Sequence, residues 1–183
     1  MEIKNSHVVL DACCVLNLCA SGHLLKIIQS IPAKVVITEV VRARELLTLQ
    51  RLVNENNQDI NPFESAIETG LLTVADFNSE AEEETFVNYA SQLRDDGESA
   101  TCAIAMHRDW AIATDDKKAI AFFQQEAPHL QIFSTLAMIK NWSEVENISK
   151  ETLRSSLNAI KTWGRYIPHR GHPLLHWWEN LLR

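Results

Sequence analysis

Hydrophobic residues in this chain form short continuous runs, and longer stretches with helical periodicity separate these runs. The first run, Val8–Leu10, has no polar interruption, as expected for a strand that is buried on both faces of a sheet. Four more runs of this kind predict strands at residues 33–37, 71–74, 110–114 and 130–133. Strands that alternate with helices predict a parallel sheet covered on both faces. The expected fold class is therefore α/β, a three-layer α/β/α sandwich around a mostly parallel sheet of about five strands.

Amphipathic stretches between and after the strands predict the helices. The first stretch covers residues 13–31 and is interrupted near Ser21 and Gly22, where the glycine breaks the helical pattern. Thr38 is placed to cap the next helix, and the polar segment 54–62 after that helix is predicted to be a loop. Further helices are predicted at residues 63–69, 79–93, 98–107, 117–126, 135–142 and 150–163.

The length of 183 residues suits one well-buried core. We expect one α/β domain over residues 1–148 and a helical C-terminal extension over residues 149–183 that packs on the same domain. A small domain seldom leaves several tryptophans exposed together. We therefore expect the tryptophans of the extension to dock it on the core or on a second subunit. These residues are Trp163, Trp177 and Trp178.

Carboxylates stand where the predicted strands end or the next helices begin. Asp11 follows the first strand, Glu39 the second, and Asp115 and Asp116 the fourth, while Glu98 opens an alanine-rich helix. In a parallel α/β sheet these positions lie along one edge, where such folds bind ligands. Like charges at one place raise each other's pKa values unless cations neutralise them. The sequence therefore predicts a site for hard divalent metal ions, as in metal-dependent phosphodiester cleavage.

Each acid also has a structural explanation when it is taken alone. Asp115 or Asp116 could cap the helix that follows, and Glu39 could favour a first helical turn through the helix dipole. Asp95 and Glu98 have the spacing of a capping box. Capping does not require acids after three separate strands and at one more helix start. The joint arrangement therefore favours a metal site.

The formal charge of −7 is unevenly distributed along the chain. Residues 150–183 hold six Lys and Arg against two Asp and Glu, which gives +4, and residues 1–149 hold 11 against 22, which gives −11. Metal ions would offset much of the acidity of a five-carboxylate site. The composition argues against tight non-specific DNA binding but does not exclude a nuclease. The basic segment, which includes Arg165 and Arg170, is the expected surface for a phosphate backbone.

The sequence offers no sign of a membrane or secreted protein. No apolar run approaches the length that a bilayer requires, and the first residues lack the pattern of a secretion signal. The cysteines show neither CxxC spacing nor a disulfide framework, and we expect reduced thiols in a cytoplasmic protein without a membrane partner. They are Cys13, Cys14, Cys19 and Cys102.

Two other groups of residues have simpler interpretations than catalysis or zinc binding. No local pattern places a histidine beside Cys13 and Cys14, which argues against a nucleophilic role. Three histidines of the extension could ligate zinc, but Pro173 interrupts a regular helical face and no cysteine lies nearby. Surface positions or RNA contacts are the favoured interpretation for these three, His169, His172 and His176.

Four segments of the chain resemble the motifs of PIN-domain nucleases, the group that includes VapC-type toxins. They are VVLDACCVLNLCASG, ITEVVRARE, DDGESATCAIA and AIATDDKKAIAFF, and together they span most of the chain. The most specific part is the GE that precedes an alanine-rich helix and a strand ending in TDD. The stretch ETLRSSLNAIKTWGRYIPHRGHPLLHWWENLL resembles the helical extension of one bacterial and archaeal PIN-like group. Residues 1–148 are then expected to be the PIN-like nuclease domain.

The resemblance implies a specific set of site residues. Asp11, Glu39, Glu98 and Asp116 match the acidic quartet of the family, and Asp115 stands beside it. The T-x-D spacing from Thr114 favours Asp116 over Asp115 as the fourth ligand. Many family members carry Ser or Thr at the place of Cys13. Candidate RNA-contacting residues are Arg42, Lys117, Arg165 and Arg170.

The function that the resemblance implies is an Mg²⁺- or Mn²⁺-dependent endoribonuclease with one or two ions per site. The expected partners are an RNA substrate, a second copy of the chain in a homodimer and, for a toxin, an antitoxin protein. The alternative is a PIN-like scaffold that binds RNA or a partner protein without cutting. Intact acids favour the enzyme, whereas the cysteine at position 13 and the net charge favour the scaffold.

Overall fold

A parallel β-sheet forms the centre of the protein. The computed structural model describes residues 1–43 and 62–183. Its strands are β1 (His7–Leu10), β2 (Lys34–Thr38), β3 (Leu72–Ala75), β4 (Ala111–Ala113) and β5 (Ile132–Phe133). They lie in the order β3-β2-β1-β4-β5, and every neighbouring pair is parallel. The predicted α/β class with a five-stranded parallel sheet is confirmed.

Helices connect the strands and continue beyond the sheet. The described helices are α1 (Ala12–Ala20), α2 (Leu24–Ser30), α3 (helical residues 39–43), α4 (Pro62–Glu68), α5 (Glu80–Leu93), α6 (Asp96–Arg108), α7 (Lys117–Glu126), α8 (Thr135–Val145), α9 (Lys150–Thr162) and α10 (Leu175–Leu182). The predicted loop at 54–62 is wrong at its last residue, because Pro62 begins α4, where proline is well tolerated. Its other residues and the rest of the helix after Thr38 lie outside the described residues.

The two faces of the sheet carry separate hydrophobic cores because successive strand residues point to opposite faces. Val8 and Leu10 belong to one core, which also contains buried residues of α1, α2, α8 and α9. Val9 belongs to the other core, where it packs with residues of α6 and α7 such as Cys102 and Phe123. The protein is therefore the predicted three-layer α/β/α sandwich.

The helical stretch after β1 is broken where the sequence predicts. Gly22 has φ +75, a left-handed conformation that glycine adopts at little cost. The axes of α1 and α2 are consequently bent by 118°. Among the described helices, none is by itself long and apolar enough to cross a membrane; α1 and α2 reach that length and composition only as this bent pair, and much of their surface is buried in the core.

The C-terminal extension packs on the same core as β1. Leu157 and Ile160 of α9 and Trp178 of α10 are buried in the core that contains Val8. Trp178 docks as expected, whereas Trp163 ends α9 and is 42% exposed. Trp163 therefore does not dock on this core, and the expected alternative, docking on a second subunit, stays a prediction for this residue.

The order of the strands creates a crevice beside the carboxyl end of β1. The chain proceeds from β1 to β2 and β3 on one side and returns to β4 and β5 on the other. In open α/β sheets, ligands bind outside the carboxyl ends of the strands where the order reverses in this way. Asp11 lies at this point, and its backbone N–H donates to the carbonyl of Ala113 at the end of β4 (2.9 Å).

Candidate active site at the carboxyl edge of the sheet

Asp11 is the most buried carboxylate of the predicted site, with only 3% of its surface exposed. It caps α1, because its Oδ1 accepts the N–H of Ala12 at 2.8 Å. Its Oδ2 accepts the Cys13 thiol at 3.1 Å and the Thr114 hydroxyl at 2.9 Å. Three donors offset much of the cost of burying a carboxylate, although burial still raises the pKa of Asp11. The side chain is thereby held in one orientation at the end of β1.

Glu98 lies close to three other carboxylates. Asp95 caps α6, and its Oδ1 accepts the N–H of Glu98 at 2.9 Å, which fixes the first turn that carries the Glu98 side chain. Burial raises the pKa of Glu98 to about 8, and the negative charges of Asp11, Asp116 and Asp95 add to this rise, while Lys118 opposes it. The four carboxylates therefore interact at one place, and we call Asp11, Asp95, Glu98 and Asp116 the acid cluster.

Asp116 caps α7 at the rim of the acid cluster. Its Oδ1 accepts the backbone N–H groups of Lys118 and Ala119 at 2.7 and 2.8 Å. Both bonds use the same oxygen, and within residues 1–43 and 62–183 no hydrogen bond uses Oδ2, so its lone pairs can accept from or bind another partner. The Asp116 N–H donates to the Thr114 hydroxyl at 3.2 Å, which connects Asp116 to the same residue that orients Asp11. A helix cap and a metal ligand are thus compatible roles for this residue.

Asp115 has different neighbours from Asp116. Its Oδ1 accepts the N–H of Thr135 at 3.0 Å, and its Oδ2 accepts the Thr135 hydroxyl and the Asn17 amide, the latter at 3.0 Å. The Tyr166 side chain lies near this carboxylate, and burial followed by the charge of Asp115 raises the pKa of Tyr166. Through these contacts Asp115 joins α1, α8 and the C-terminal extension.

Glu39 lies on the same edge but has a cationic partner. It is the first helical residue after β2, and its Oε2 lies 3.4 Å from Nη1 of Arg42. The N-terminus of α6 packs against this turn, since a Cβ added to Gly97 would lie 3.4 Å from Cγ2 of Val41. Glu39 and Val41 belong to the same helical turn, so Glu39 lies near the segment that carries Glu98.

Adjacent cysteines donate to two different aspartates. The thiol of Cys13 donates to Asp11, and the thiol of Cys14 donates to Oδ2 of Asp115 at 3.8 Å. The two sulfur atoms and a carboxylate oxygen of Asp115 all lie within 4.8 Å of one another, a spacing that a thiophilic metal could bridge. Burial raises the pKa of Cys14 well above its usual value, and Asp115 already accepts several hydrogen bonds. The arrangement is therefore a network of thiol donors and carboxylate acceptors rather than a thiolate metal site.

The four candidate RNA-contacting residues differ in their solvent exposure and in their ion pairing. Lys117 and Arg170 are exposed, and Arg165 is an exposed residue with φ 52 next to Tyr166. Arg42 is half-buried and paired with Glu39. Lys117 adjoins Asp116 in the sequence, and Arg165 adjoins the tyrosine that contacts Asp115. Lys117 and Arg165 thus stand beside site residues in the chain, and Arg42 pairs with one.

Several residues that shape the site were not identified from the sequence. Asn17 is a buried amide within the otherwise apolar helix ACCVLNLCA, and such a residue requires a partner that sequence alone does not name. Thr135 stands shortly after β5, as the acids stand after their strands, but it is uncharged, and a single threonine in the sequence does not indicate a site residue. Tyr166 lies in a segment without periodicity. Its contact with Asp115 could not be inferred from spacing.

No family model matches this chain, and no curated protein matches it at a significant level.

Proposed function

We propose that this protein is a metal-dependent ribonuclease of the PIN type that hydrolyses RNA phosphodiester bonds with Mg²⁺ or Mn²⁺. The observation that carries the proposal is the meeting of Asp11, Glu98 and Asp116 at the point where the strand order reverses. Burial, and after it the charges of Asp11, Asp116 and Asp95, raises the pKa of Glu98 to about 8, so an ionised Glu98 is costly beside these carboxylates. A divalent cation would reduce that cost.

The donor set fits a hard metal ion. Asp11, Glu98 and Asp116 offer carboxylate oxygens, the ligands that Mg²⁺ and Mn²⁺ prefer, and no histidine nitrogen belongs to the acid cluster. Asp95, a member of the acid cluster, and Glu39, on the same edge of the sheet, could join through water. A bound ion would activate water and neutralise the developing charge on the phosphate and leaving oxygen. The three direct ligands come from the segments after β1 and β4 and from α6, so the fold has to be intact for the site to form.

The remaining residues of the site position its ligands. Thr114 donates its hydroxyl to Asp11 and accepts the N–H of Asp116, so one side chain sets the relation between two ligands. Cys13 supplies a second donor to Asp11, in the place where the family commonly has a hydroxyl. Lys117, exposed at the first position of α7, can meet an RNA phosphate beside Asp116.

Cleavage of single-stranded RNA by the purified protein tests the proposal. With Mn²⁺ the wild type should cut in a manner that EDTA abolishes, and Asp11→Ala and Glu98→Gln should each lose most of the rate. Glu84→Gln, a change of an exposed acid on α5 away from the cluster, is the matched control and should retain full activity. Equal cleavage by wild type and Asp11→Ala would identify a contaminating nuclease. Binding of RNA without cleavage would support the scaffold alternative.

The resemblance also suggests protein partners, and we include a homodimer and an antitoxin in the proposal. Trp163 and Ile167 are 42% and 64% exposed, and burial against a second copy would remove this apolar surface from water. Light scattering of the wild type and of Trp163→Ser tests the dimer. Growth arrest on expression of the wild type, but not of Asp11→Ala, tests the toxin. All four cysteines are free, which suits the proposed location in a reducing cytoplasm.

A further inference from the structure

A cavity of about 450 Å³ opens next to the acid cluster, on the side of β4 and β5. Thr114 and Asp115 form the part of its wall that adjoins the acid cluster. Its floor includes Ile132 and Phe133 of the edge strand β5, which are only half-buried, whereas β4 is fully buried. The volume lies within the usual range of small-molecule sites, about 300–1,000 Å³. The cavity is therefore large enough for one nucleotide but not for a nucleic-acid duplex.

Helix α7 connects this cavity to the acid cluster. Asp116, Ile120 and Gln124 follow each other at intervals of four residues, so they lie along one face of the helix. Asp116 belongs to the acid cluster, and the other two line the cavity. An RNA strand with one phosphate at Asp116 could therefore follow this face of α7 and place a neighbouring nucleotide in the cavity.

Two histidines of the C-terminal extension line the cavity, and a backbone N–H fixes the tautomer of each ring. The N–H of Gly171 donates to Nδ1 of His169 at 3.1 Å, and the N–H of Leu174 donates to Nδ1 of His172 at 3.0 Å. A nitrogen that accepts a backbone N–H carries no proton, so both neutral rings hold their proton on Nε2. The rings also contact each other edge to face, with centroids 5.6 Å apart. The wall thus combines two fixed Nε2–H donors with flat rings.

We propose that this cavity is a nucleobase subsite that holds one unstacked base of a single-stranded RNA, with guanine preferred. Phe133 and the imidazole rings offer faces on which a base can stack, as single-stranded RNA is commonly recognised. Two Nε2–H donors match a base edge with two acceptors, and guanine presents O6 and N7 side by side. His169 and His172 are then specificity-determining residues. The inference rests on the proposed ribonuclease function, because it makes RNA the ligand.

Binding of mononucleotides to the metal-free full-length protein tests the subsite independently of cleavage. The probes are the four ribonucleoside 5′-monophosphates at millimolar concentration, and the measurement is the proton NMR shift of the His169 and His172 rings. Guanosine monophosphate should shift both resonances saturably and more strongly than the other three. Ala137→Phe should abolish the shift, because Ala137 lines the cavity and is half-buried. Ala90→Phe, at a half-buried position on α5, is the matched control and should retain the shift.

Three outcomes would overturn the subsite: no mononucleotide moves these resonances, inorganic phosphate moves them equally, or Ala137→Phe binds like the wild type. If Ala137→Phe melts well below the wild type, Gln124→Ala replaces it as the test variant, because Gln124 is an exposed cavity residue whose truncation disturbs no packing. Its guanosine monophosphate affinity should fall severalfold, and an unchanged affinity would overturn the subsite.

Cleavage assays then separate this inference from the proposed function. RNAs that differ only in one base near the scissile bond should be cut at rates that differ by about fivefold or more, the scale of a good base contact. Equal rates on all bases would reject the subsite and leave the ribonuclease in place. Guanine-selective binding by a protein that does not cut RNA would reject the ribonuclease and support the subsite.

Discussion

Thr135 donates both its backbone N–H and its hydroxyl to the carboxylate of Asp115, so the first residue of α8 is hydrogen-bonded to a residue two positions after β4. Asp116, the next residue, instead caps α7 and interacts with Glu98. Two adjacent aspartates therefore have separate roles, one structural and one at the acid cluster. This separation leads to a prediction that stability and metal binding respond to different substitutions.

Asp115→Asn and Asp116→Asn should have opposite profiles. Asp115→Asn weakens bonds to Thr135 and Asn17 and should lower the free energy of unfolding by about 1–3 kcal/mol, the range for hydrogen bonds to charged groups. Asp116→Asn preserves a good helix cap and should leave the melting temperature of the metal-free protein nearly unchanged. It should nevertheless reduce the stabilisation by Mn²⁺. Thermal melts with and without Mn²⁺ measure both effects, and a reversed pattern would exchange the two roles.

The donor at position 13 provides a second prediction. The Cys13 thiol lies 3.1 Å from Oδ2 of Asp11, so Cys13→Ser should preserve the donor and Cys13→Ala should remove it. We expect Cys13→Ser to retain or exceed the wild-type Mn²⁺ affinity and Cys13→Ala to lose about tenfold, the scale reported for partners that orient metal ligands. Isothermal titration with Mn²⁺ checks the order. Equal affinity of all three proteins would show that the thiol does not orient Asp11.

The raised pKa of Glu98 predicts a pH dependence of the metal-free protein. Between the ordinary value of 4.5 and about 8, the folded protein binds a proton at Glu98 that the unfolded chain does not. This contribution to stability is fully present below pH 4.5 and is lost as the pH rises through about 8. Metal binding requires the ionised carboxylate, so stabilisation by Mn²⁺ should increase over the same interval.

Glu98→Gln is the control for this pH dependence, since it removes the titrating group and nearly keeps the shape. Melting temperatures of wild type and variant, measured from pH 5 to pH 9, should differ by an amount that changes through this interval. A pH-independent difference would mean that Glu98 ionises normally and that the carboxylates do not crowd it. The comparison with the variant isolates Glu98 from Asp11, whose pKa is also raised by burial.

The arrangement of the strands was predictable because continuous apolar runs have few alternatives in an α/β chain. Val8–Leu10 and the run before Thr114 were placed as strands, and the structure finds β1 and β4 there. The first helix was also predicted to break near Gly22, whose positive φ explains the break. Such features depend on local chemistry, and local chemistry can be read from the sequence.

The directions of the site side chains were not predictable, because they depend on contacts between residues that are distant in the sequence. Asp115 and Asp116 have identical side chains and adjacent positions, so spacing alone gave only a weak preference between them. Their difference arises from Thr135 and Tyr166, which are distant in the sequence and reach Asp115 only in the folded protein. Glu39 and Arg42 pair within one helical turn, so this contact is local in sequence. Whether Glu39 can instead bind a metal ion beside Glu98 depends on how α6 packs against this turn.

Gly164 supplies the last prediction, because it lies close to Asn17 and Ala20 of α1. A Cβ at this position would lie 2.6 Å from Oδ1 of Asn17 and 2.8 Å from the carbonyl oxygen of Ile160, and the latter is backbone that cannot rotate away. Gly164→Ala should therefore destabilise the protein by about 1–3 kcal/mol, as overpacking generally does. It should also shift Asn17, which donates to Asp115 at 3.0 Å.

Gly171→Ala is the matched control for Gly164→Ala, since its Cβ would meet nothing closer than 3.5 Å. It should change the free energy of unfolding by no more than about 0.5 kcal/mol. Urea denaturation of both variants measures the difference in the free energy of unfolding. If Gly164→Ala is as stable as Gly171→Ala, the extension is not seated on Asn17 as described, and Asp115 would lose its structural connection to the C-terminal segment. If Gly164→Ala is destabilised and an additional Asn17→Ala change restores part of the loss, the close contact between the two residues is the cause.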